Sequence, residues 1–417
     1  MSLETHIAGS EDRLIDGLHF GSRNTASYVV ARHAATFHPS SASSWKPSGV
    51  RLMRFNLADQ AGWLDGSTMR LCFTLTNNSA NSALTPVVDS PASMLRRVRV
   101  IANGSAVLED VEEYGRVYQM FSELLSSQRR YNNITEGWGD SGAAQGNLAV
   151  PFSVDPIPAD SSRQVCVTLL SSFLSQGKMI PLSMLPITIE CELDDADAAF
   201  AGTGASWEIT RPRLLADVCD LDQALANSYA KHILDGKSLP MYMHGLYSLR
   251  AAVPAGSSLY SLPIARGFTR LSTVYVTFWD GATGKWANTF THPNAGRANI
   301  EAFDDMQWNI TLGADRWPTF NSESTQECFY RLRLAQQAHQ GADAFSISSH
   351  AYRNNKFIVA QSLEKAPGGS AHTGVNTRSG AQLTLNFRNL GTSTLIHVIL
   401  HYEQIVNVSA AGAEVLD

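Results

Sequence analysis

Alternation of apolar and polar residues, which is typical of β-strands with one buried face, dominates the chain from residue 50 onward. It predicts strands at residues 50–57, 69–77, 95–102, 105–108, 164–170, 187–193, 207–210, 271–279, 306–311, 356–362, 381–387 and 395–406. Asn103-Gly104 separates two of these strands, and both residues tolerate the positive φ that a type I′ hairpin turn requires. The chain is therefore predicted to be mainly β, with tight turns between neighbouring strands.

Three shorter segments have apolar residues at three- and four-residue spacing instead, which predicts helices. They are residues 111–125, a short one at 221–233, and 325–339. In the first, the spacing is carried by Tyr114, Val117, Met120, Phe121, Leu124 and Leu125. Acidic residues at 110, 112 and 113 precede it, where a negative charge favours the helix dipole.

The order of these elements repeats, because strand, returning strand, helix and late strands occur once in each half of the chain. No residue similarity accompanies the repeat. Many short strands with few helices indicate two β-sandwiches of about 200 residues each. The domain boundaries that we predict are an N-terminal arm at 1–45, a first sandwich at 46–210, a second sandwich at 211–408, and a C-terminal tail at 409–417.

Composition supports a folded chain and argues against one class of partner. Of 417 residues, 44% are hydrophobic and 17% charged, which is ample for a buried core. The formal net charge is -6, and the densest basic clusters are only Arg96-Arg97, with Arg99, and Arg129-Arg130. Proteins that bind nucleic acid directly concentrate positive charge. We therefore expect no direct contact with nucleic acid.

The five cysteines suggest a reducing compartment. Cys72, Cys166, Cys191, Cys219 and Cys328 are odd in number, lie more than twenty residues apart, and form no Cys-x-x-Cys motif. This predicts neither a disulfide framework nor a zinc site. The first ten residues lack the pattern of a secretory signal, and no window holds 18 apolar residues. We expect a soluble chain made in a cytoplasm-like compartment.

Carboxylates and glycines provide only weak candidates for a catalytic or binding site. The two glycines of Gly202-Thr203-Gly204 could bind a phosphate, although a Gly-x-Gly sequence of this kind more often belongs to an ordinary loop. Asp194-Asp195 and Asp304-Asp305 could act as acid and base or bind calcium. Adjacent residues of a strand point to opposite faces, so we interpret both pairs as solvated strand ends.

Histidines and tryptophans lead to the same interpretation. His397 and His401 are four apart on a predicted strand, about 13 Å from each other and too far for one metal ion. Trp279 and Trp286 flank a glycine-rich loop and could stack on a sugar, but packing in a core or interface is the more common role. We predict no catalytic, cofactor-binding or metal-binding residues, and therefore no enzyme.

Several stretches carry a family resemblance in their joint order and spacing. The first half contains VRVIANG at 98–104, then Glu109-Asp110 and a helix with YGRV, and later KMIPL at 178–182 with LPITIE at 185–190. The second half contains IARGFTRL at 264–271, VYVTF at 274–278, FIVA at 357–360, LEK at 363–365, GVNT at 374–377 and HVILHY at 397–402. Over residues 45–410, the chain resembles the double jelly-roll major capsid proteins of DNA viruses, particularly the Polinton-like virus and virophage branch.

The resemblance implies a fold and an assembly. The fold would be two tandem eight-stranded antiparallel jelly rolls, with a few short helices in loops. Three chains would form a homotrimer of six similar blocks, a pseudo-hexameric capsomer that tiles an icosahedral shell. Implied partners are neighbouring capsomers, penton proteins and minor capsid proteins. A membrane or other proteins would separate the shell from the genome. The location would be the virion, after synthesis in the host cytoplasm.

The resemblance also suggests which segments make contacts. The polar loops at 132–146 and 281–296 would lie on the exterior or between subunits. The arms at 1–44 and 409–417 would contact other capsomers or interior partners.

Two other functions fit the same strand pattern, because fold alone does not decide function. One is a jelly-roll protein that binds or cleaves carbohydrate. A hydrolase of that kind needs two carboxylates about 5–10 Å apart on one concave face, and Glu190 and Glu192 are the main acids in the predicted strands. The other is a minor capsid or spike protein, against which the two-half organisation argues.

Overall fold

The fold was examined in a computed structural model. It describes residues 28–40, 42–58, 62–86, 88, 90–126, 129–130, 132, 136–138, 155–200, 204–254, 257–279, 290–294, 306–336, 347–354, 356–366, 373–391 and 395–417. About half of these residues belong to antiparallel β-sheets, two in each half of the chain. Within the described residues, no helix is both long and apolar enough to span a bilayer.

The first half forms two sheets that face each other. Its strands are β1 (Val29–Phe37), β2 (Ser44–Trp45), β3 (Leu52–Leu57), β4 (Trp63–Asn77), β5 (Leu95–Ala102), β6 (Ala106–Glu112), β7 (Ser162–Thr168), β8 (Ile180–Pro181), β9 (Ile187–Leu193) and β10 (Trp207–Leu221). One sheet has the order β1-β10-β4-β7, with β2 beside β10 and β8 beside β4, and the other has the order β3-β9-β5-β6. Helix α1 (Tyr114–Glu123) connects β6 to β7.

The second half repeats this arrangement after helix α2 (Gln223–Leu234). Its strands are β11 (Leu239–Ala252), β12 (Leu259–Ile264), β13 (Leu271–Trp279), β14 (Gln307–Leu312), β15 (Asp315–Ser322), β16 (Ile358–Ser362), β17 (Leu383–Arg388), β18 (Leu395–Ser409) and β19 (Gly412–Leu416). The sheets have the orders β11-β18-β13-β16, with β19 beside β18, and β12-β17-β14-β15. Helices α3 (Thr325–Ala335) and α4 (Ser349–Asn354) connect β15 to β16.

The two halves have one topology. When the eight main strands of each half are numbered in chain order, both halves pair them as 1-8-3-6 in one sheet and 2-7-4-5 in the other. This crossing pattern between two antiparallel sheets is the jelly roll. The prediction of a mainly β, double jelly-roll fold is confirmed, and the long helix of each half lies at the same point of the topology.

Local sequence explains the hairpin and helix of the first half. Asn103 and Gly104 have φ of 50° and 77°, as the predicted hairpin turn between β5 and β6 requires. Helix α1 begins at Tyr114 instead of residue 111, because residues 110–112 continue β6 and pair with β5. Val117 and Met120 bury the apolar face of α1 against the core.

Strands cross or lie outside three of the predicted boundaries. The predicted arm at 1–45 includes β1 and β2, which pair with β10. The predicted boundary at 210/211 falls inside β10, which continues to Leu221. Helix α2 follows β10 and connects the two halves. The predicted tail at 409–417 includes β19, which folds back on β18. Strand β1 lacks an alternating pattern because most of its side chains are exposed, and backbone pairing with β10 holds it in place.

The two polar loops lie largely outside the described residues. Of 132–146, the structure describes 132 and 136–138, where Trp138 is fully buried with its ring centroid 5.9 Å from that of Phe200. Of 281–296, it describes 290–294, where His292 and Asn294 are buried and Asn294 donates to the Asn389 carbonyl over 3.1 Å. The described parts of both loops therefore contribute to packing as well as to the surface.

Candidate functional site

The acidic pair at the end of β9 belongs to local structure. Asp194 is buried, and its carboxylate accepts from the backbone N–H of Asp195 over 2.9 Å. Asp195 pairs with Arg51 at 2.9 Å and precedes a short 3-10 helix at Ala196–Ala198. The predicted strand end is confirmed, but Asp194 is not solvated. Asp304, Asp305, Gly202 and Thr203 lie outside the described residues.

His397 and His401 lie in β18 and serve packing. The Nε2 atom of His397 lies 2.8 Å from the hydroxyl of Ser248, and its Nδ1 atom has no hydrogen-bond partner. Burial, followed by the charges of Arg116 and Arg250, lowers the pKa of His397 to about 3. No group of three or more His, Cys, Asp or Glu side chains within the described residues is placed to hold a metal ion.

His401 lies on the same strand and stacks on another imidazole. Its ring centroid is 4.7 Å from that of His244. Burial, followed by the neighbouring His244, lowers the pKa of His401 to about 3. Both histidines of β18 are therefore neutral near pH 7.

Glu190 and Glu192, the acids that a hydrolase would need, lie on the outer face of sheet β3-β9-β5-β6 beside arginines of the neighbouring strands. Glu190 is buried and bonds to Arg99, with Arg54 at 3.6 Å. Glu192 lies directly opposite Arg97, which also binds Asp110 through two nitrogens at 2.7 and 2.5 Å. The arginine that bonds Glu190 and the arginine opposite Glu192 leave no reason to assign these acids a catalytic role.

Glu109 is a buried acid that the sequence did not single out. It lies in β6 and is fully enclosed, and burial raises the pKa of its carboxyl. The carboxyl accepts from the hydroxyl of Ser171 and from the backbone N–H groups of Ser172 and Phe173. Its role is to hold the chain that follows β7.

A buried polar arrangement lies between the two jelly rolls. We call it the junction: α1 and β6 of the first half against β11, β13, β18 and β19 of the second. All nine residues of β13 are buried, which a strand achieves only when both faces are covered. One face of β13 meets the core of its own jelly roll, and on the other face Tyr275 and Trp279 contact α1.

Aromatic contacts define how α1 lies on β13. The guanidinium of Arg116 lies 3.6 Å from the ring centroid of Trp279. Burial lowers the pKa of Arg116 to about 10. Phe121 meets Tyr275 edge-on, with ring centroids 5.5 Å apart. Trp279 is thus packed inside the junction, so its ring is not open to stack on a sugar. Trp286 lies outside the described residues.

Ion pairs and a hydrogen bond complete the junction. Glu123, buried in α1, binds Arg130 of its own half and, at 2.8 Å, Lys356 of the other half. Glu113 binds Arg250 at 3.0 Å, and Gln404 donates to a buried backbone carbonyl, that of residue 108, over 2.8 Å. These contacts fix the two jelly rolls relative to each other. In the sequence, these contacts are indicated only by the unbroken run of apolar and small polar residues in β13.

A polar cleft of about 560 Å³ lies at the edge of the junction. Charges of both signs line it, among them Arg97, Glu112, Glu113 and Arg250. Most of these side chains are already paired with one another across the cleft or along it. A cleft whose charges satisfy each other offers little to a charged ligand, so we assign it to the junction.

The corresponding helix of the second half, α3, is covered on one face only. It buries Thr325, Cys328 and Leu332, whereas Tyr330 on the opposite side is 56% exposed. In α1, by contrast, eight of ten residues are buried because the second half covers it. The chain thus contains two equivalent helices, one with a jelly-roll partner and one whose outer face is open in the single chain.

Comparison with known proteins gives matches among solved structures only. No protein-family model and no curated protein matches the chain. The crystal structure of PBCV-1 VP54, fitted into a reconstruction of the virophage Sputnik, is 11% identical, with a TM-score of 0.65 over 96% of this chain and 100% of that chain. The Faustovirus major capsid protein is 8% identical, with a TM-score of 0.61 over 98% and 94%.

A third match is the Sputnik virophage structure at 3.5 Å resolution, which is 10% identical, with a TM-score of 0.60 over 98% of this chain and 93% of that chain. All three alignments extend through both halves. Since so little sequence is shared, the agreement is one of fold. It confirms the resemblance that the sequence motifs suggested: this chain has the double jelly-roll fold of viral major capsid proteins.

Proposed function

We propose that the chain is the major capsid protein of an icosahedral DNA virus, located in the virion after synthesis in the host cytoplasm. Three copies would form a homotrimer that tiles the shell as a pseudo-hexameric capsomer. The observation that carries the proposal is the identical strand order of the two halves, held together by a buried junction. Such a chain provides two similar building blocks whose relative position is fixed.

This geometry supports a closed trimer. Three copies around a threefold axis place six similar blocks in a ring, and each contact between copies joins the second half of one chain to the first half of the next. The structural matches extend through both halves and include a major capsid protein, which supports the same role for this chain.

Further partners and the absence of catalysis belong to the same proposal. The capsomers would contact one another, penton proteins and minor capsid proteins, and a membrane or other proteins would lie between shell and genome. The net charge of -6 agrees with a shell protein that does not bind nucleic acid directly. We propose no enzymatic activity and no cofactor.

The mass of the purified protein in solution tests the proposal. We expect light scattering to give about 136 kDa, three times 45.4 kDa, and negative-stain images of the same peak to show a roughly hexagonal outline. A stable monomer that binds sugars on a glycan array would contradict it and favour the carbohydrate-binding alternative. A monomer without sugar binding that also fails to assemble with co-expressed virion proteins would count against it as well.

The open face of α3 provides a more local test. We propose that Tyr330 lies in a contact between copies, as the equivalent face of α1 lies in the junction. Tyr330→Ala is then expected to raise the trimer dissociation constant roughly tenfold or more, because buried tyrosines are common hot spots of interfaces. Sedimentation at decreasing protein concentration measures this.

Leu234→Ala is the matched control for Tyr330→Ala. Leu234 is 82% exposed at the end of α2, and alanine preserves both helices. Equal dissociation constants for the two variants would show that the outer face of α3 is not in the trimer contact.

A further inference from the structure

Two cysteines that are far apart in the sequence lie directly opposite each other on the outer face of the first jelly roll. Cys72 of β4 pairs in register with Cys166 of β7, and the Sγ atoms are 2.6 Å apart. Both thiols are free in this structure. The neighbours of Cys72 along β4, Leu71 and Phe73, point into the core, so the pair occupies the opposite face.

We propose that Cys72 and Cys166 are a redox-active pair that forms a cross-strand disulfide when the protein meets an oxidised low-molecular-weight disulfide such as oxidised glutathione. Directly opposed residues of antiparallel strands have Cα atoms about 4.5–5.5 Å apart, within the span that a disulfide bridges. An S–S bond is about 2.0 Å long, so the two sulfur atoms need to approach by only about half an ångström.

The surroundings of the pair admit a reagent. Both cysteines line an open cavity of about 150 Å³, together with Glu136, Gln164, Arg211 and Arg213. Cys166 is the more exposed of the two, whereas Cys72 is buried. A bulge in β10 follows Thr210, and pairing resumes with Arg213 opposite Cys72. Cationic side chains beside a thiol favour its thiolate, which is the reactive form, and they also attract an anionic peptide disulfide.

The disulfide forms in two steps, and Cys166 reacts first because it is the more exposed thiol. The thiolate of Cys166 attacks one sulfur of oxidised glutathione, forming a mixed disulfide and releasing one glutathione thiolate. The thiol of Cys72 then loses its proton and attacks the Cys166 sulfur, which breaks the mixed disulfide and releases the second glutathione. Two protein thiols and one oxidised glutathione thus give one protein disulfide and two reduced glutathiones, with two electrons passing to glutathione.

The second step is the slower one near neutral pH. Burial, followed by the hydrogen bond to Cys166, raises the pKa of Cys72 to about 12, although Arg213 and Arg70 act in the opposite direction. Formation of the disulfide from the mixed disulfide is therefore expected to accelerate as the pH rises.

The disulfide would tie β7, the last strand of its sheet, to the interior strand β4. It joins residues 94 positions apart. Closing a loop of that length restricts the unfolded chain strongly. We expect the midpoint of thermal unfolding of the first jelly roll to rise by about 5–10 °C on oxidation.

The test uses the full chain, oxidised glutathione, and thiol counting followed by peptide mapping without reductant. We expect two of the five thiols to disappear, one peptide pair joined through Cys72 and Cys166, and a mass loss of two hydrogen atoms. Cys72→Ser is expected to stop at a glutathione adduct on Cys166. Cys219→Ala, which removes a cysteine elsewhere in the same sheet, is expected to form the disulfide as the unaltered chain does.

Several results would overturn the proposal. Five thiols that all stay reduced in the folded protein would do so, as would a disulfide that involves any other cysteine. Cys72→Ser that still forms an intramolecular disulfide would do so too. Because the measurement needs only the purified chain, it is independent of the capsid proposal: a monomer can form the disulfide, and a trimer can lack it.

Discussion

Replacing Glu123 by glutamine is expected to lower the free energy of unfolding by about 3 kcal/mol, because it removes the buried negative charge that binds two cations at the junction. The carboxylate of Glu123 binds Arg130, whose side chain is 9% exposed, and Lys356, whose side chain is 17% exposed. Glutamine keeps the size of the side chain and can still accept from its neighbours, so the loss measures the charge. Urea denaturation, followed by tryptophan fluorescence and circular dichroism, provides the free energies.

The matched control for Glu123→Gln is an ion pair on the surface. Glu208 binds Lys46 at 2.8 Å, the same length as the Glu123–Lys356 pair, but the lysine is 47% exposed. Glu208→Gln is expected to cost less than about 1 kcal/mol, because water screens such pairs. If the two variants cost the same, the junction ion pairs contribute no more than surface pairs do. We also expect Glu123→Gln to separate the unfolding of the two halves, since Lys356 belongs to the second.

Acidification from pH 7.5 to 5 is expected to destabilise the second jelly roll by about 2 kcal/mol through His397 alone. The pKa of His397 is lowered to about 3 in the folded chain, against 6.5 for an ordinary histidine. Between these values the unfolded chain binds a proton that the folded chain does not. The stabilisation is therefore complete above pH 6.5 and is lost progressively as the pH falls toward 3.

The surroundings of His397 explain why its pKa is lowered. Protonation would place a charge beside Arg116 and Arg250, and the Nδ1–H of the charged ring would have no acceptor. The Ser248 hydroxyl lies 2.8 Å from Nε2 and can serve the neutral form. His401 acts in the same direction with a smaller effect, because it is partly exposed and water relieves part of the cost.

Unfolding midpoints in urea between pH 4 and pH 8 measure this dependence. His397→Asn is expected to lower the slope of the unfolding free energy against pH, between pH 4 and 6.5, by the equivalent of about one proton taken up on unfolding. Equal slopes for the unaltered chain and His397→Asn would show that His397 is not the group that titrates.

The strands that could be predicted from the sequence are those whose apolar residues or flanking turns mark their ends. β5, β9 and β13 have the predicted bounds, because their side chains or their flanking turns mark where they start and stop. Strand β1 could not be predicted, since its exposed side chains have no period and its stability comes from backbone pairing with β10. Strand β11 was not predicted either, although Asp235-Gly236 ends α2 just before it and Gly236 has a φ of 78°.

Contacts that depend on register were beyond the sequence. Cys72 and Cys166 meet because β4 and β7 pair with one particular alignment, and a shift of one residue would turn the two thiols to opposite faces. The junction depends on α1 lying across a sheet formed 150 residues later in the chain. Of the site residues considered, Trp279 was correctly expected to be packed, but its partner Arg116 could not be named.

Both jelly rolls stand on one polypeptide with a single covalent connection at α2. Their stoichiometry is therefore fixed at one to one by translation, whatever the expression level or the affinity of one half for the other. The two halves are also free to diverge, because each always occupies its own alternate position. A lattice built from such a chain would look sixfold in outline while presenting two chemically different faces in strict alternation.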